Sequence, residues 1–166
     1  MNLQRFLDAQ DPVYEQALEE LKAGRKQSHW IWFIFPQLRG LGSSQRAQFY
    51  GIECLDEARA FQKHPVLGPR LHECTTTVLR HTQKSASQIL GVPDDLKFFS
   101  CMTLFSEAAP QDLVFRLALQ AWAWVAKRAG GWQSTWLLTG ACSVVGLCMA
   151  WRLQRVWAGS RRGKRG

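Results

Sequence analysis

The chain reads as an all-α protein: a single compact multi-helix domain ending in an apolar C-terminal helix. Three observations predict this. Apolar residues recur at helical spacing through most of the first 116 positions. Helix-start signals precede those runs at Asp11-Pro12, Ser44, His64-Pro65, Ser85, Pro93-Asp94 and Pro110. Period-2 alternation bounded by turn dipeptides, the mark of an all-β chain, is absent.

Taken in order, Leu3, Phe6 and Leu7 open a first helix. Asp11 as N-cap and Pro12 at the first helical position, where a missing N–H costs nothing, start a second. Its acids come early (Glu15, Glu19, Glu20) and its bases late (Lys22, Arg25, Lys26), as the helix dipole favours, and Gly24 is placed to end it. The run from Trp30 to Phe35 is apolar throughout and predicts a buried helix that Pro36 ends. Leu38 to Ser44, with Gly40 and Gly42, predicts a loop. Ser44 then caps a helix from Gln45, which breaks near Gly51 and resumes to Lys63. His64-Pro65 begins a helix that buries Leu67, Leu71 and Val78. Ser85 and Gln88 have the spacing of a capping box, and Gly91 stops the short helix they start. Pro93-Asp94-Asp95 opens a helix through Ala108, and Pro110-Gln111-Asp112 one that reaches about Arg128.

Charge divides the chain. Residues 1–112 carry 12 Lys+Arg and 13 Asp+Glu, a net −1, whereas 113–166 carry 9 Lys+Arg and no acid, a net +9; together they give the overall +8. The bulk charge therefore argues for no nucleic-acid binding by the domain proper. The sequence predicts a domain over 1–116 and a divergent tail over 117–166, apolar and then basic. Gly130 to Trp151 is a stretch of 22 uncharged residues, marginally long and apolar enough to cross a bilayer, so 132–151 is a candidate membrane helix. A helix packed on the domain, and a tail of unrelated sequence without function, are the alternatives. No signal peptide opens the chain, and its five cysteines contain no C-x-x-C. Both features fit reduced thiols in a cytoplasmic protein, membrane-associated if 132–151 inserts.

Three motifs carry a family resemblance: SHWIWFIFPQL (28–38), EARAFQKHPVLGPRL (57–71) and PDDLKFFSCMTLF (93–105). They resemble the small bacterial domain-of-unknown-function family numbered 1810, sometimes mislabelled calpastatin, over about residues 2–116. The resemblance implies a small, mostly helical, cytosolic fold and no established activity. The sequence after Phe115 departs from the family's usual ending.

Chemistry-bearing residues are sparse. Cys54, His64, His72 and Cys74 match no zinc spacing, and no metal site or cofactor is predicted. Walker, dinucleotide and Gly-x-Ser-x-Gly patterns are absent. The strongest candidate is a ligand cleft where polar groups sit among large aromatics: His29, Trp30, Trp32 and Gln37 on the apolar run, and Lys97, Ser100 and Thr103 on one helix. A lysine in so apolar a helix needs a partner or an anionic ligand, and a nucleotide-like molecule with its ring on a Trp would supply one. His29 with Cys101 as base and nucleophile is a sharper variant. The segment 61–74 also looks faintly like a helix of domains that remove ADP-ribose from guanine bases. That likeness would give Glu57 an acid role and makes an ADP-ribose-processing enzyme the alternative; a protein-interaction module is the third reading.

Overall fold

The computed structural model describes residues 2–128, with side chains through residue 121. The candidate membrane segment 132–151 and the basic end lie outside the described residues. Among those described, no helix is long and apolar enough to cross a membrane. The chain is all-α: α1 Gln4–Gln10, α2 Tyr14–Lys22, α3 Ile31–Ile34, α4 Gln45–Phe49, α5 Leu55–Lys63, α6 Leu67–Leu79, α7 Ala86–Leu90, α8 Asp94–Ala108 and α9 Leu113–Arg128. The described residues contain no strand, only an isolated bridge between Leu38 and Ile52.

α8 is the central helix and packs against α9, α5, α7 and α3. Its buried stripe is Phe98, Cys101, Met102, Phe105 and Ala108, the three- and four-residue spacing that one helix face requires. Asp94 and Asp95 sit in its first turn, where the dipole favours carboxylates. From Phe105 a line of rings crosses the core. Phe105 meets Phe61 at 5.4 Å and Phe115 at 5.7 Å, and Phe61 meets Phe6 edge-on at 5.0 Å. Each such ring contributes roughly 1.5–3 kcal/mol on full burial.

Several helix ends follow their sequence signals. Ser44 Oγ accepts from Ala47 N at 3.2 Å. The capping box at α7 is complete, with Gln88 N donating to Ser85 Oγ at 3.2 Å and Ser85 N to Gln88 Oε1 at 2.7 Å. Gly24, at φ +65°, closes α2: its N–H reaches Leu21 O and that of Arg25 reaches Glu20 O. These are the paired bonds of a Schellman ending, for which a left-handed residue is required.

Two helix starts differ from expectation. α2 begins at Tyr14 rather than after an Asp11 cap, and Asp11 instead pairs with Arg70 at 2.8 Å. α6 begins at Leu67, two residues beyond Pro65, and His64 Nδ1 accepts from Val66 N and Leu67 N at its start. The apolar run is a helix, but of one turn only. Pro36 disfavours helical backbone at Phe35, whose φ and ψ are −120° and 71°. α9 runs unbroken across position 116, and Ala118 is buried in the core.

Candidate functional site

The one-turn α3 and the start of α8 bring polar groups onto tryptophan rings. Trp30 is buried, and its Nε1 donates to Glu20 Oε2 at 2.8 Å. The same carboxylate accepts from Gln27 N at 2.7 Å, from Ser28 N at 3.0 Å and from Ser28 Oγ at 2.6 Å. Burial pushes the Glu20 carboxyl up, but these four donors outweigh it and bring the pKa down to about 2. Glu20 thus pins the segment leading into α3 and fixes the Trp30 indole.

A charged bridge connects this segment to α8. Asp94 Oδ2 pairs with Lys26 Nζ, and Asp94 Oδ1 with Lys97 Nζ, both at 2.7 Å. Burial raises the Asp94 carboxyl, and the two ammonium groups more than offset that, so it lies below the usual carboxylate range. Both lysines also stand over indoles: Lys26 Nζ is 5.3 Å from the Trp30 ring centroid and Lys97 Nζ is 4.6 Å from that of Trp32.

Trp32 is the half-buried member of the pair. A second cation, the Arg46 guanidinium of α4, lies 5.3 Å from its centroid. Its Nε1 is buried and has no hydrogen-bond partner among the described residues. Leaving such a donor unpaired costs roughly 1–3 kcal/mol. Lys97 and Arg46 thus stand over this ring, and Lys97 shares the Asp94 carboxylate with Lys26.

The other sequence-selected residues divide. Gln37 is buried where the loop before α4 folds back, its Nε2 close to Gly42. His29 is exposed. Ser100 Oγ and Thr103 Oγ1 each donate within α8 at 2.9 Å, to Leu96 O and Phe99 O. Glu57 lies elsewhere: fully buried, it accepts from Arg5 Nη2 at 2.8 Å and from Glu53 N at 2.7 Å. Cys101 is fully buried, and burial pushes its thiol well up, the reverse of an activated nucleophile. No group of three or more His, Cys, Asp or Glu among the described residues is arranged to hold a metal. Arg46 and Lys26 were not selected from sequence, because only the packing of α4 and the segment before α3 brings them here; Asp94 was also not selected, although its i,i+3 spacing to Lys97 on α8 was a readable signal. A hollow of about 390 Å³ opens elsewhere, between α1 and Phe49–Tyr50.

The family described as "Protein of unknown function (DUF1810)" matches residues 1–130. Among solved structures, the conserved hypothetical protein Rv1873 from Mycobacterium tuberculosis is 52% identical and superimposes with a TM-score of 0.69. The match covers 80% of this chain and 91% of that one. No curated protein matches the chain. The three sequence motifs, the helical architecture and the extent of these matches agree, and the chain belongs to the DUF1810 family.

Proposed function

We propose that the domain binds a small anionic molecule carrying a planar ring, of nucleotide type, at the Trp32–Lys97 surface. One observation carries this reading: a half-buried indole has Lys97 Nζ at 4.6 Å from its centroid and a buried N–H without an acceptor among the described residues. A ring stacked on the indole and an anionic group beside Lys97 use both features. A ligand acceptor reaching Nε1 would remove the cost of an orphaned donor. Asp94 is then the internal counter-ion of both lysines in the free protein, and the ligand anion shares or replaces it.

An ADP-ribose-processing enzyme would need Glu57 as an acid facing the ligand. Its carboxylate is engaged by Arg5 and by the backbone of Glu53, and this favours binding over that chemistry.

Thermal unfolding of the full chain against nucleosides, nucleoside phosphates and inorganic pyrophosphate tests the proposal. A ligand at a hundred times its Kd adds about 2.7 kcal/mol of stability, worth roughly 10 °C in Tm for a domain of this size. We expect that rise with a nucleoside phosphate, and its loss in Lys97→Ala. A flat response across the panel would contradict the reading and leave the interaction module in its place.

A further inference from the structure

We propose that residues 39–51 form a flap over Trp32, and that Arg46 is a ligand-contacting residue delivered by it. This rests on the reading of Trp32 as the ligand platform.

The flap is defined by how it is attached. Its two stems are joined at the Leu38–Ile52 bridge, where Arg39 N donates to Ile52 O at 2.7 Å and Ile52 N to Gln37 O at 3.0 Å. Arg39 and Glu53 add an ion pair at the same level. Beyond the stems, the segment satisfies its own polar groups: Ser44 caps α4, Gln48 N bonds to Ser44 O, and Gln48 Nε2 bonds to Gly42 O at 2.5 Å. Among the described residues, none from 42 to 50 hydrogen-bonds to anything outside 38–51. α4 also forms no substantial interface with another helix. A closed loop of this length, tied at its base and internally satisfied, is an Ω-type loop. The segment is held to the body at its C-terminal end, where the Tyr50 ring meets Phe33 at 5.3 Å and Phe6 at 6.1 Å and Arg5 Nη2 donates to Gly51 O at 3.3 Å, so local opening involves the part before Tyr50.

Its free side bears on the platform. Arg46 is exposed, makes no ion pair with a described residue, and lies 5.3 Å from the Trp32 centroid. A planar ring inserted between the two needs two stacking gaps of roughly 3.5 Å each. The guanidinium must therefore lift or slide by about 2 Å to admit one, a movement the stems permit without breaking the bridge. On closing, the planar guanidinium stacks on the ligand ring and donates to its anionic group, which a lysine cannot do together.

Hydrogen–deuterium exchange on the full chain tests this, with ADP as the probe because it carries both a ring and phosphates. Without ligand, amides 45–50 should exchange at least tenfold faster than those of α5 and α8. With ADP they should slow several-fold in the native chain. In Arg46→Ala that slowing should disappear while the Lys97-dependent rise in Tm persists at weaker affinity. Exchange at 45–50 as slow as in α5 without ligand would overturn the flap, whatever ADP does. A rise in Tm with no protection at 45–50 would overturn its role over the ligand while leaving the platform standing. An absent ADP response, in both exchange and Tm, would overturn the platform and the role of Arg46 with it.

Discussion

Glu20 receives four hydrogen bonds within 3.0 Å, three from the successive residues Gln27 and Ser28 and one from the Trp30 indole. Its folded pKa of about 2 lies below the unfolded value. The stability it contributes is therefore fully present above about pH 4.5 and is lost as pH falls through about 2. Asp94, also held below the usual carboxylate range, acts in the same direction. Glu20→Gln replaces an acceptor by an amide that confronts the donors of Ser28 and Trp30. We expect a loss of roughly 3 kcal/mol at pH 7, together with a flatter dependence of Tm on pH below 4.5. An unchanged acid limb in the variant would show that Glu20 does not anchor α3. At this scale the sequence showed which residues were unusual but not what they met. Lys97 needed a partner, and Asp94, three residues earlier on the same helix, is that partner. Ser100 and Thr103 share helical spacing with Lys97, but spacing does not say which way a hydroxyl turns, and both bond back to their own helix.

Helix ends were legible where a side chain or a left-handed glycine caps them, but not at Asp11-Pro12 or His64-Pro65, where the helices start two residues later. The Ser85–Gln88 box, the Ser44 cap and Gly24 act through atoms within a few residues, so sequence alone suffices to read them. The length of α3 was not legible. An uninterrupted apolar run lacks periodicity, and Pro36 limits the helix from outside it. The α5–α6 corner offers a sharp test at the element scale. A Cβ on Gly68 would lie 1.9 Å from Gln62 O, and backbone cannot move aside as a side chain tip can. Gly68→Ala should cost about 2–4 kcal/mol, measured by urea unfolding. A change below 0.5 kcal/mol would mean that the two helices meet less closely there.

For the whole molecule, the charge seam near residue 113 suggested that the domain ends at 116. α9 crosses that point, and Ala118 is buried against the core. Charge reports on surface composition, whereas Phe115 and Ala118 continue one buried face across the seam, so truncation is what decides where the domain ends. A chain cut after 131 should retain the Tm of the domain. One cut after 116 removes most of α9, which packs against α8 and α6, and should fall by at least 10 °C or fail to fold. Equal Tm values would support a boundary at 116.

Calorimetric titration of the full chain with the nucleoside phosphate that raises Tm decides whether Trp32 and Lys97 hold an anionic, ring-bearing ligand. A charge-assisted bond is worth about 1.5–3 kcal/mol. Lys97→Ala should therefore weaken a saturable isotherm by roughly 10- to 100-fold, and Trp32→Leu should weaken it comparably, while Ser100→Ala leaves it unchanged. Isotherms that coincide for the native chain and Lys97→Ala would contradict the account.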